Sequence, residues 1–253
     1  MRLSVILITK NEAENIVACL ESVAWADERV VVDSGSTDDT VQLARAAGAR
    51  VIETDWAGYG PQKNRALDAA QGDWVFSIDA DERATPELRA EIERAMSAPG
   101  QHVAFAVPRR SSYCGRFMRH GGWWPDHVVR LFRRGAGRFS DDQLHERVVV
   151  DGPCGKLGEP LIHYTYRDLE EVIAKVNRYS TLSATMMFEA GRRAGMPSAI
   201  ARGFWTFLRG YVFRLGFLDG AEGFMLAVSN AEHTYYRYAK LRQIGRDAKR
   251  GGA

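Results

Sequence analysis

Apolar and polar positions alternate in blocks over the first hundred residues. Leu3–Ile8 is an almost unbroken apolar run of strand length, and Ile16, Val17 and Leu20 recur at helical spacing within Glu14–Val23. Arg29–Val32 predicts a second strand ending at Asp33. Ser36-Thr37-Asp38-Asp39 then offers capping side chains and first-turn acids for a helix to about Ala47. Val51-Ile52 is a short third strand, and Pro61 suits the first turn of a helix to about Ala70. Trp74–Ile78 is a fourth strand, and Thr85-Pro86 opens a helix ending near Ser97. Strands and helices in this alternation predict a parallel α/β sheet with right-handed crossovers. Ligands of such sheets sit beyond the carboxyl ends of the strands. Thr9–Glu12, Asp33–Ser36 and Asp79–Glu82 all fall there.

The pattern then changes. Val103–Val107, Val128–Phe132, Arg147–Val150 and Pro160–Tyr164 read as strands around a segment, Ser111–Asp126, rich in glycine, arginine and aromatic residues. From Asp168 onward three helices are expected, at about 168–191, 198–216 and 221–243, with the last residues from Lys249 frayed.

At 253 residues, 45% hydrophobic and 26% charged, the chain has an ordinary globular composition, enough for one domain with an appendage. The net charge of +2 hides an asymmetry: residues 1–99 carry 10 Lys/Arg against 18 Asp/Glu, and residues 100–253 carry 24 against 14. An acidic front suits a metal site, and a basic rear suits an anionic partner. Cys19, Cys114 and Cys154 show neither metal-ligand nor disulfide-framework spacing, so three free thiols are expected. No basic-then-apolar leader precedes the first strand, and no apolar run approaches the roughly 18–20 residues of a membrane span. The expected location is the cytoplasm.

Asp79-Ala80-Asp81, followed by Glu82, carries the sharpest chemistry. Residues i and i+2 of an extended strand share a face, so two carboxylates can enter one site and hold Mg²⁺ or Mn²⁺, whose remaining ligands are waters and phosphate oxygens. The competing reading is a turn or a helix cap. Thr9-Lys10-Asn11-Glu12 has neither the glycine fingerprint of a dinucleotide fold nor a P-loop, but its groups suit ribose or base recognition. Asp33 is placed to accept from a base N–H, and Gly35 permits a close backbone approach.

The set Val5-Ile6-Leu7-Ile8-Thr9-Lys10-Asn11-Glu12, Val31-Val32-Asp33-Ser34-Gly35-Ser36-Thr37-Asp38-Asp39-Thr40, Gln62–Leu67 and Trp74–Glu82 resembles glycosyltransferase family 2. Arg130–Arg134, Leu144-His145-Glu146 and Gly216–Gly220 resemble, more narrowly, the lipopolysaccharide core β-1,4-glucosyltransferase group. The resemblance implies a GT-A fold, a mixed sheet flanked by helices, spanning 1–165, with a helical extension over 166–253. It implies inverting transfer of a hexose, glucose from UDP-glucose, to the lipopolysaccharide inner core with a divalent cation. Thr9, Asn11, Glu12 and Asp33 would then line the nucleotide pocket, and Lys63 and Arg65 would face the nucleotide or its phosphates. Asp81 would be the principal metal ligand, with Asp79 at the ribose or the sugar–metal region and His163 a late metal or diphosphate ligand.

Inversion needs a base for the acceptor hydroxyl, and geometry outweighs pKa in choosing it. Glu146 is the first candidate, Asp142 its rival and Asp126 a third; His145 is placed to orient the site. An ion pair with an arginine is the competing role for Glu146. The basic, aromatic stretch Tyr113–Trp124 is a candidate acceptor loop. Phe204–Leu218, interrupted by Arg209 and Arg214, fits a helix lying in a membrane interface or one packed on the core. That adds the inner face of the cytoplasmic membrane as a peripheral location. The rival readings are transfer to a polyprenyl-linked or capsular acceptor, a non-catalytic nucleotide-sugar or glycan-binding protein, and a nucleic-acid binder. The last leaves the acidic strand end unused and has no recognised motif.

Overall fold

The computed structural model describes residues 1–141 and 146–251, so Asp142 and His145 lie outside the described residues. Two structural units are present, Met1–Arg110 with Asp126–His163, and Ser111–Pro125 with Tyr164–Ala253.

The first unit is built on β1 (Leu3–Thr9), β2 (Glu28–Asp33), β3 (Arg50–Glu53), β4 (Trp74–Ser77) and β5 (Glu82–Ala84). It continues with β6 (Ala104–Tyr113), β8 (Asp126–Arg133) and β12 (Leu161–Tyr166), β6 and β12 running on into the second unit; β7 is Arg116–Phe117, β9 Gly137–Phe139, β10 Val148–Val150 and β11 Cys154–Lys156. The main sheet runs β3-β2-β1-β4-β8-β6-β12-β5, and β9 pairs with β10 separately. The first four strands are parallel, as the βα alternation predicts. β8 is antiparallel to β4 and β6, and β5 to β12, which makes the sheet mixed. This is the GT-A arrangement that the resemblance implies.

Alternation within β1 explains why its apolar run is continuous. Leu3, Val5 and Leu7 join one core cluster and Ile6 the other, as expected of a strand covered on both faces. Helices α1 (Ile16–Ser22), α2 (Thr40–Ala46) and α4 (Pro86–Ser97) supply Ile16, Leu20, Ala44, Leu88 and Ile92 to the first cluster. Helix α3 (Tyr59–Ala69) supplies Ala66 and Leu67 to the second. Thr85 caps α4, its hydroxyl accepting from the Leu88 N–H at 3.1 Å.

In the second unit Asp168 caps α5 (Leu169–Glu189) by accepting from the Glu171 N–H at 2.9 Å. Helix α6 (Met196–Leu208) stops earlier than expected. It passes into a π-helical turn at Arg209–Phe213, and Leu215 then takes a left-handed φ of 56° before a 3₁₀ turn at Gly216–Asp219. Helix α7 (Gly220–Gly251) outruns the expected end near residue 243, with Arg246 and Arg250 favourably placed in its last turns. Among the described residues no helix is long and apolar enough to cross a membrane.

Candidate active site

Strand register assembles the site. Thr9 stands opposite Asp33 across β1 and β2, and Ile6 opposite Ser77 across β1 and β4, so three polar strand ends meet on one edge. The first two are laced together. Asn11, at φ 57°, donates its N–H to Ser36 Oγ and accepts the Thr37 N–H on Oδ1, both at 2.8 Å; asparagine tolerates that left-handed backbone better than most residues. The Glu12 N–H donates to Thr40 Oγ1 at 2.8 Å. Buried Asp33 accepts the Ser36 N–H at 2.8 Å. These bonds consume the groups expected to start α2 at Ser36 and shift its first residue to Thr40. Asn11, Glu12 and Asp33 therefore shape the two loops, while Thr9 Oγ1 is buried without a hydrogen-bond partner among the described residues.

At the third strand end the two aspartates diverge. β4 ends at Ser77, and the Glu82 N–H donates to the Asp79 carbonyl at 2.9 Å, closing a turn that breaks the strand alternation. Asp79 Oδ1 pairs with Lys63 Nζ at 2.9 Å, and its Oδ2 accepts from Arg130 at 2.6 Å. Asp81 Oδ2 instead lies 3.4 Å from His163 Nε2, because β12 sets His163 opposite Glu82.

Lys63 is buried and also reaches Glu146, 2.9 Å from its Oε1. Burial alone would push its amine down, but Asp79 and Glu146 outweigh burial and the repulsion of Arg130, and hold it above its ordinary value. Burial pushes the Asp79 carboxyl up; Arg130 and Lys63 prevail and hold it well below the usual range. Glu82, fully buried, accepts from Arg130 at 2.5 Å, yet burial still raises its carboxyl above the usual value. Arg65 turns away from this cluster, donating to the Asp55 carbonyl at 2.8 Å and pairing with its carboxylate at 2.9 Å. Asp126 is paired with Arg109 at 2.6 Å.

Arg130 and Glu82 complete this network: the sequence sets Glu82 in the strand-end cluster, with a helix-start acid as its alternative, and gives Arg130 no role, whereas Glu82 begins β5. A signal was present for Arg130. A charge inside the apolar run Val128–Phe132 must be paired if that run is a core strand.

The pair Asp81 and His163 can serve a divalent ion. Their 3.4 Å separation is close to the roughly 3 Å between adjacent ligands of an octahedral ion with bonds of about 2.0–2.1 Å. Among the described residues no group of three His, Cys, Asp or Glu side chains could hold a metal ion. A resident ion would thus need oxygens from a ligand or water.

A family model described as glycosyl transferase family 2 matches residues 4–155. The lipopolysaccharide core biosynthesis glycosyltransferase LpsC of Rhizobium meliloti is 36% identical, over 95% of this chain and 92% of that protein. An uncharacterized glycosyltransferase of Rickettsia typhi is 31% identical, over 96% and 87% respectively. Among solved structures, glucosyl-3-phosphoglycerate synthase from Mycobacterium tuberculosis, in complex with Mn²⁺, UDP and phosphoglyceric acid, is 30% identical over 45% of this chain and 44% of that one, with a TM-score of 0.38.

Proposed function

We propose a reaction from one premise: the chain belongs to glycosyl transferase family 2 and is a glycosyltransferase. The reaction is inverting transfer of a hexose, glucose from UDP-glucose, to a sugar of the lipopolysaccharide inner core at the inner face of the cytoplasmic membrane. The acceptor class is supported by the 36% identity to a protein named for lipopolysaccharide core biosynthesis. Glucose and inversion rest on the resemblance of the sequence motifs.

The observation that carries the mechanism is the division of labour at the end of β4. Asp81 and His163 face each other, while Asp79 and Glu146 are joined through Lys63. Thr9, Asn11, Glu12 and Asp33 form the nucleotide end of the site. Asp81 and His163 would hold Mg²⁺ or Mn²⁺, whose chemistry is to neutralise charge on the leaving diphosphate. Glu146 takes the proton of the acceptor hydroxyl as that oxygen attacks the anomeric carbon. The C–O bond to the diphosphate breaks as the new one forms, without a covalent enzyme intermediate. Lys63 fixes the Glu146 carboxylate relative to Asp79. Asp142 remains the rival base.

The test is a screen of UDP-, GDP- and TDP-sugars for Mg²⁺- or Mn²⁺-dependent thermal stabilisation, followed by transfer to truncated core, polyprenyl-linked and capsular acceptors. Metal-dependent stabilisation by UDP-glucose and transfer to a core acceptor is the expected result. Preference for another nucleotide, or transfer only to a polyprenyl-linked or capsular acceptor, overturns that part of the reading.

A further inference from the structure

Between Glu189 and Asp219 the chain carries five arginines and no carboxylate. The same stretch forms α6 and the tip that turns into α7, and it leaves large apolar side chains in solvent. Phe204 is 63% exposed, Phe213 65% and Trp205 55%, and Phe217 and Leu218 are exposed in the turn that follows. Trp205 and Phe213 lie against each other, ring centroids 5.7 Å apart, and Tyr211 joins Phe207 to Phe217 at 5.3 and 6.2 Å, so apolar rings run from α6 into the tip. An open groove of about 450 Å³ between α6 and α7, lined by Phe204, Phe207 and Tyr235 and holding one carboxylate, Glu232 of α7, extends it.

The exposure is built into a tight corner. A Cβ on Gly223 would meet the Gly216 carbonyl at 1.9 Å, and one on Gly216 would meet the Gly210 carbonyl at 2.7 Å. Only glycines permit this backbone approach. Asp219 fastens the corner by accepting from the backbone N–H groups of Arg119 and His120 and from His120 Nδ1, at 2.7–3.0 Å. Arg209 and Arg214, exposed among the aromatics, have no ion-pair partner among the described residues.

We infer that this tip and the exposed face of α6 seat in the headgroup–acyl boundary of a bilayer containing anionic phospholipid. Contiguous exposed apolar area marks an interaction surface. Aromatic rings interleaved with arginines match the amphipathic layer of a membrane interface, and the missing carboxylates match an anionic one. A second copy of this chain fits less well, since a self-facing contact would bring the five arginines of this stretch together with only Glu232 of the groove lining to answer them. The inference rests on the proposed reading for one point only, that the acceptor is lipid-linked.

Flotation of the full chain with phosphatidylcholine vesicles, with and without phosphatidylglycerol, tests it. The wild type should float with the anionic vesicles and lose binding as salt rises. Phe213→Ser with Phe217→Ser, both at exposed positions, should lower partitioning at least about tenfold. Arg209→Gln with Arg214→Gln should remove the preference for phosphatidylglycerol. Wild type that stays at the bottom of the gradient overturns the inference, as does unchanged flotation of the serine variant. A concentration-dependent wild-type dimer, lost in the serine variant, would assign the face to a second copy instead. UDP-dependent thermal stabilisation is read on the same samples: its absence from the wild type counts against the donor reading and leaves the lipid surface standing.

Discussion

Lys63 Nζ lies 2.9 Å from Glu146 and is the buried link between that carboxylate and Asp79. An ammonium inserted between two carboxylates from separate elements fixes their spacing. Removing it leaves two acids in a partly enclosed site without their shared cation. Lys63→Met should therefore cost about 3 kcal/mol of stability, the low end for breaking a buried pair. Transfer should fall at least about 100-fold, since positioning losses of this kind reach that size. Arginine cannot substitute, because its planar fork does not fit a site shaped around a point charge. Urea unfolding and transfer kinetics of Lys63→Met and Lys63→Arg check both effects.

Arg130 and Glu82 form a second buried relationship, joined to the first because Arg130 also pairs with Asp79 at 2.6 Å. Arg130→Met should destabilise by about 3–5 kcal/mol, because it leaves the buried Glu82 carboxylate with only the more distant Arg109, at 3.8 Å. Arg130→Met with Glu82→Gln should recover part of that loss, because the stranded charge is gone. A double-mutant cycle in urea measures the coupling; a simple sum of the single effects would show that the two residues act independently.

Much of this site was legible in the sequence, and the limits have physical causes. The parallel strands followed from apolar runs separated by helical spacing, and the three loops from the position of strand ends. The partition of Asp79 and Asp81 is implied by the resemblance but not by the strand pattern, because alternation holds only while the strand lasts, and β4 stops at Ser77. The resemblance alone directs Lys63 toward the nucleotide or its phosphates. Its two carboxylate partners come from positions 79 and 146, a pairing that no local pattern encodes. The stop of α6 was hidden too: Arg209–Phe213 reads as more helix, and only the left-handed Leu215 turns the chain.

On the proposed reading, Asp81 and His163 would divide the metal work unequally. Asp81→Ala should abolish metal-dependent stabilisation by UDP and lower transfer at least about 100-fold. The free protein's melting temperature should hardly change, since Asp81 is part-exposed and Asp79 carries the buried pairs. His163→Ala should weaken Mn²⁺ more than Mg²⁺, because an imidazole ligand favours transition ions over magnesium. Titration of each metal against fixed UDP, followed by melting temperature, reads out both. Equal loss of the two metals in His163→Ala would remove the imidazole from the ligand set.

Asp219 gives the second unit an acid-sensitive joint. Burial pushes its carboxyl up, but hydrogen bonds from the His120 ring and from the backbone of His120 and Arg119 outweigh that and hold it below the usual 3.8. A carboxyl depressed in the folded state contributes stability that is complete above its unfolded value. That contribution is lost as pH falls from about the unfolded value through the lower folded one. Stability should accordingly decline on acidification below about pH 4, and Asp219→Asn should flatten this part of the curve while lowering stability at neutral pH. Urea midpoints across the acid range, for wild type and variant, test the sign; an equally steep acid decline in Asp219→Asn would place the sensitivity elsewhere.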